Sequence, residues 1–180
     1  MNRRGFLAAA AAIPGVAWSA RAWAQPTDPE IPPENDWRGE RPARPAVGDA
    51  AERAEHLLTA VLRDEPEHAR DFFFPRDVFR IVKGIADPDR YWNVLWARYE
   101  RDIHALHTQV PAEARLTRFE MTRRGGWVER REEANAVPYW ASRHDWVHYH
   151  IGERVGGRAD RFEIRTLINW GPRWYVTHLG

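Results

Sequence analysis

The chain has 180 residues, 43% of them hydrophobic and 29% charged, the balance of one globular domain rather than two. It contains no cysteine, which excludes disulfides, thiolate metal ligands and cysteine nucleophiles together. Its net charge is +1 and its basic side chains are arginines apart from a single lysine, Lys83.

The first segment, MNRRGFLAAAAAIPGVAWSARAWAQ, reads as an export leader. Arg3 and Arg4 form a positive start, and Phe6 to Trp18 a weakly apolar stretch, interrupted by Pro14 and Gly15 and too short to span a bilayer. Ala22-Trp23-Ala24 places small residues where a signal peptidase reads them. Asn2-Arg3-Arg4-Gly5-Phe6-Leu7 resembles the twin-arginine export motif, which implies translocation of a folded protein across a bacterial inner membrane into the periplasm. Residues 1–24 are thus expected to be a signal peptide.

The leader carries Arg3, Arg4 and Arg21 and no acid. Without them the 27 basic side chains become 24 against 26 acidic ones, a net charge of −2. Nucleic acid is therefore not an expected partner, because phosphate binding needs a concentrated positive field. No later segment is apolar enough for a membrane span, so none is expected after cleavage.

Residues 25–47 hold six prolines, many charges and few apolar side chains, which predicts a poorly ordered spacer arm. The alternative is a strap with Trp37 docked on a neighbouring surface. The domain proper is expected over 48–180. Asp49 can cap a helix whose apolar stripe is Ala50, Ala54, Leu57, Leu58, Val61 and Leu62. Pro66 stops that helix and can open a short one with His68 and Phe72, and Pro75 to Lys83 reads as another short helix. Asp87-Pro88 starts the longest helix, with Trp92, Leu95, Trp96, Tyr99, Ile103 and Leu106 at helical spacing and Pro111 beyond its end.

After Pro111 the period changes to two. Leu116 to Arg124, Trp127 to Glu133, Ser142 to Gly152, Arg161 to Trp170 and Trp174 to Leu179 read as strands. Gly125-Gly126, Asn135 to Pro138, Gly156-Gly157 and Gly171-Pro172 separate them, which predicts consecutive antiparallel pairing. Helices followed by strands predict an α+β fold, with N-terminal helices packed on a curved antiparallel sheet of about five strands. This order, and the closing hairpin Phe162–Leu179, resembles the nuclear transport factor two-like superfamily. The resemblance covers Gly48 to Gly180 and implies a sheet wrapped around a long helix, leaving a conical pocket. That fold hosts isomerases, dehydratases, hydrolases and binding modules, so it does not decide function.

HDWVHYHIG, residues 144–152, is the densest cluster of chemically active side chains. On a strand, His144, Trp146, His148 and His150 share one face, and Asp145, Val147, Tyr149 and Ile151 the other. His148 and His150 have the spacing of a metal pair, with His178 the best third ligand. The second set is the more apolar, so the histidine face is expected to be the outer one, where Trp146 also suits a dimer contact. His104 and His107 sit i, i+3 on the long helix, but a surface ion pair with Glu100 is the expectation there. In a conical pocket, Trp92, Trp96 and Tyr99 would form aromatic walls and Glu163, Arg165 and His178 the polar groups.

No nucleophile elbow, zinc-protease motif or phosphate-binding glycine loop occurs in the chain. The expectation is an exported, non-catalytic domain that binds a small ligand or a protein partner, as a homodimer through its aromatic sheet face and without a cofactor. The alternatives are a cone-pocket hydrolase or isomerase using a His–acid pair, and a metal-binding protein using His148, His150 and His178.

Overall fold

A computed structural model describes residues 30–131, 134–152 and 158–180. The leader 1–24, the start of the arm, Glu132-Glu133 and the Gly156-Gly157 turn lie outside them. Three helices pack with an open five-stranded antiparallel sheet, an α+β architecture around one hydrophobic core.

Helix α1 (Ala50–Arg63) buries Ala54, Leu57, Leu58 and Val61, the stripe expected from its periodicity. Asp49 does not cap it through its side chain. Its carboxylate instead accepts from Arg53 Nη2 at 2.6 Å. Arg53 is buried on the apolar stripe, stacked between the rings of Phe72 and Tyr175 at 5.0 Å from each centroid. A guanidinium is weakly hydrated and stacks on aromatic faces, which lets it stand where an aliphatic residue would be expected. Helix α2 (Arg76–Val82) ends at Lys83. Helix α3 (Pro88–His107) starts as expected, with Asp87 Oδ1 accepting from the Arg90 amide at 2.9 Å. No helix among the described residues is long and apolar enough to cross a membrane.

The strands are β1 (Ala114–Glu120), β2 (Gly125–Val128), β3 (Tyr139–Ile151), β4 (Arg158–Trp170) and β5 (Arg173–His178). β3 to β4 and β4 to β5 pair consecutively, but β1 and β2 do not form the expected hairpin. Both lie on the same edge of β3, β1 along Trp146–Ile151 and β2 along Tyr139–Ser142. The reason is local. Gly125, read as a turn, has φ +104° and is a strand residue opposite Ser142. A β-carbon there would fall 2.3 Å from the Ala141 carbonyl oxygen, so only glycine admits this approach.

Residues facing each other across strands share a face. Tyr139, Ala141, Arg143, Val147 and Tyr149 of β3 thus share the inner face with Phe162, Ile164, Thr166 and Ile168 of β4. Trp140, Trp146, His148 and His150 lie on the outer face. The free edge of β5 is closed by Phe72–Phe74: Val176 N donates to Phe72 O at 2.7 Å and Phe74 N to Val176 O at 3.1 Å. A covered edge offers no template for pairing with another chain.

The arm departs from expectation. From residue 30 onward it is a strap laid on the outer face. Asn35 is fully buried in a short helical turn, Pro33–Asn35. Trp140 Nε1 donates to Pro42 O at 3.2 Å and Trp174 Nε1 to Ala46 O at 2.9 Å. Arg44 Nη2 donates to Ser142 Oγ at 2.8 Å and to Thr122 O at 3.0 Å, with its guanidinium over the Trp174 ring. Proline lacks an amide N–H, so this segment needs few main-chain partners and can offer its carbonyls to indole donors. Trp37 does pack on the core, with the guanidinium carbons of Arg38 and Arg130 5.9 and 5.4 Å from its ring centroid.

Candidate functional site: a cationic cavity on the inner face

The expected pocket residues do not converge. Trp92, Trp96 and Tyr99 pack with Phe73 instead of lining an open cone: Phe73 lies 5.7, 5.1 and 4.7 Å from their ring centroids. Trp92 and Trp96 stack at 5.8 Å, and Trp92 Nε1 donates to Phe74 O at 2.8 Å. Burial holds the Tyr99 hydroxyl far above the ordinary phenol range. Glu163 pairs with Trp146 on the outer face, where it contacts His144, and Arg165 is exposed. Of the expected set, His178 alone lines the inner cavity.

The three-histidine metal alternative fails on the same ground. His148 and His150 point outward, and His148 Nε2 meets Glu120 Oε2 at 2.9 Å. His178 lies opposite Thr166 on the inner face, across the sheet from them. Among the described residues no group of three metal-ligating side chains forms. The expected His104–Glu100 pair is also replaced. His104 Nδ1 contacts Asp64 Oδ2 at 2.8 Å, tying α3 to the end of α1, while Glu100 accepts from Trp96 Nε1.

A cavity of about 220 Å³ opens between α2, α3 and the inner face. Phe79, Tyr91, Leu95, Val128, Ala141 and Ile168 supply most of its apolar wall. Its polar groups are Lys83, Tyr139, Arg143, Thr166, Thr177 and His178. Among the described residues no carboxylate lines it. Lys83 Nζ donates to Asn135 Oδ1 at 2.7 Å and to Tyr139 Oη at 3.2 Å, and lies 5.1 Å from the Tyr139 ring centroid. Burial pushes the Lys83 ammonium below the ordinary lysine range. Burial also raises the Tyr139 phenol, so that hydroxyl keeps its proton. His178 is lowered, first by burial and then by Arg98, Arg165, Lys83 and Arg143, which favours neutral imidazole.

Each element contributes for a local reason. Lys83 is where α2 ends and the chain leaves in extended conformation. Arg143 and Tyr139 are two residues of one face of β3, separated by the small Ala141, and Thr166 and Ile168 continue that face across the β3–β4 ladder. A bulge between Thr166 and Leu167 in the β4–β5 register brings Thr177 and His178 together at the cavity. Sequence reasoning overlooked Lys83, Tyr139 and Arg143. The solitary lysine among 27 basic residues was the available signal.

His–acid contacts do exist, His56 with Asp71, His68 with Glu65, His104 with Asp64, His144 with Glu163 and His148 with Glu120, but none of these involves a residue of the inner cavity. The aromatic outer face expected to mediate a dimer is partly occupied, since the strap takes Trp140 and Trp174. Trp146 stays at the surface of that face, with Arg161 4.0 Å over its ring. Comparison with protein-family models, with curated proteins and with solved structures finds no match to this chain.

Proposed function

We propose that the domain binds a small anionic molecule, a carboxylate with a short apolar body, in the inner-face cavity. The supporting observation is the lining itself: Lys83 and Arg143 with hydroxyl donors and apolar walls, and no carboxylate among the described residues. A partly desolvated cation attracts an anion more strongly than one in water, and the apolar wall rewards a matching hydrocarbon portion. The cavity is smaller than the ~300–1,000 Å³ of drug-sized sites, which restricts the ligand to a few carbons.

The test is a thermal-shift and calorimetric panel of three- to five-carbon carboxylates against their neutral amides. Carboxylates should raise the melting temperature, and Arg143→Gln should weaken binding by about tenfold or more, the loss of one charge-assisted hydrogen bond. Equal effects from acids and amides, or an indifferent Arg143→Gln variant, sink the reading.

The leader supports a periplasmic setting for this binding. A fusion of residues 1–47 to a reporter that folds before export should reach the periplasm only in cells with a working twin-arginine translocase. Export in translocase-deficient cells, or by a variant carrying Arg3→Lys and Arg4→Lys, argues for the general secretion route.

A further inference from the structure

We propose that Lys83 is a nucleophilic amine that condenses with the carbonyl carbon of a small aldehyde or keto acid in the inner-face cavity, forming an imine. The proposal rests on the reading of that cavity as the binding site, and adds the chemical class of its occupant. Three observations carry it. Lys83 is the only lysine of the chain, and it lines the cavity instead of reaching into solvent. Its Nζ is held at two points, by Asn135 Oδ1 at 2.7 Å and Tyr139 Oη at 3.2 Å. Those contacts come from neutral groups, and among the described residues no carboxylate forms an ion pair with it.

The surroundings suit the chemistry. A lysine acts as a nucleophile when its amine is desolvated, as in an apolar pocket. Tyr91, Tyr139, Arg143 and His178 are the titratable or charged groups lining the cavity with it; burial favours the free amine, and Tyr91 alone of the four works the other way. The free amine attacks the carbonyl carbon and forms a C–N bond, while the C=O π pair moves to oxygen. A proton passes from Nζ to that oxygen, with the Tyr139 hydroxyl 3.2 Å from Nζ as relay, giving a carbinolamine. The nitrogen lone pair then expels the hydroxyl group, which takes a proton and leaves as water, and an iminium remains. No oxidant or reductant enters. Arg143, on the same cavity wall, receives the carboxylate when the carbonyl compound is a keto acid.

The experiment is reductive trapping on the purified protein. Pyruvate or propanal is added with cyanoborohydride at neutral pH, and the product is followed by intact mass and peptide mapping. One adduct is expected on Lys83, formed at least about tenfold faster than on a blocked lysine in solution, and Lys83→Arg should abolish it while keeping the fold. Tyr139→Phe should keep the site but slow trapping by about a hundredfold, the scale of a lost general acid, and shift its pH profile. A merely structural lysine would show no such rate change. Labelling no faster than that of free lysine overturns the proposal. If pyruvate raises the melting temperature and leaves no adduct, anion binding stands and the amine proposal falls. If propanal labels Lys83 as fast as pyruvate does, and Arg143→Gln alters neither, the amine proposal stands and anion binding falls.

Discussion

Asn35 and Asn169, 134 positions apart in sequence, form a buried amide pair. Asn169 Nδ2 donates to Asn35 Oδ1 at 3.4 Å, and Asn35 Nδ2 donates to the Asn169 carbonyl at 3.5 Å. Asn35 also accepts from Gly171 N at 2.8 Å and donates to Pro138 O at 3.0 Å, so one side chain joins the strap to the start of β3 and the end of β4, which meet at one end of that ladder. Asn169 Oδ1 in turn accepts from the Trp140 amide at 2.6 Å.

Asn35→Ala should therefore cost about 2–3 kcal/mol, since it strands the Gly171 amide and the Pro138 carbonyl without partners in a dry site. Chemical denaturation measures the loss, and limited proteolysis should then cut within residues 36–47. A variant as stable as the parent would mean that the strap is held by its tryptophan contacts alone.

Gly125→Ala should lose about 2–4 kcal/mol or the β2–β3 pairing outright. The added carbon meets main-chain atoms of Ala141, which cannot rotate away. Gly126 has open space at the same distance, so Gly126→Ala is the control and should be nearly neutral. Urea midpoints of the two variants decide it.

Phe73→Ala should cost about 3–5 kcal/mol, the range for a fully buried aromatic. The ring touches Trp92, Trp96 and Tyr99, so tryptophan fluorescence should change along with the denaturation midpoint. Unaltered emission would contradict the packing described.

Asp89 bridges α2 to α3 by accepting from Arg80 and Arg76, and Arg80 foremost holds its carboxyl down to about 2 from an ordinary 3.8. A carboxyl depressed on folding stabilises above its unfolded pKa and loses that contribution as pH falls through its folded one. Asp89→Asn should thus be less stable than the parent at pH 7. The gap should close between pH 4 and 2, as measured by thermal unfolding across that range. A pH-independent gap would assign the effect to packing instead.

His178 predicts a loss of the same sign at higher pH. Its folded pKa lies below the ordinary 6.5, so the unfolded chain binds more protons and stability falls as pH drops below 6.5. The charges facing it, Arg98, Arg165, Lys83 and Arg143, all disfavour a further cation. His178→Gln should gain on the parent on moving from pH 7.5 to pH 5. Parallel pH curves for the two would refute this origin.

Much of the architecture was legible because periodicity reports burial. The α1 and α3 stripes, the change to strands after Pro111 and the outward direction of His148 and His150 all follow from which side chains can leave water. The site was harder to read. Trp92, Trp96 and Tyr99 have the spacing of a pocket wall, but the same spacing serves a packed core once Phe73 fills the gap between them. Arg53 sits where an aliphatic residue is expected, because two aromatic rings distant in sequence sandwich it. Glu163 is one strand step from the inner face, and neither its own side chain nor its neighbours on β4 reveal that offset without the β3–β4 register.

What the sequence determined by itself was the order of helices and strands and the two faces of β3, since those depend on local spacing and on solvent preference. The tertiary structure decided which residues meet: Asn35 with Asn169, Gly125 with the Ala141 carbonyl, and Lys83 with Tyr139 inside a cavity lined by Arg143. Such meetings depend on strand register, on a bulge and on where a proline-rich strap lies down. They are set by the sum of contacts over the whole chain, and no local stretch encodes them.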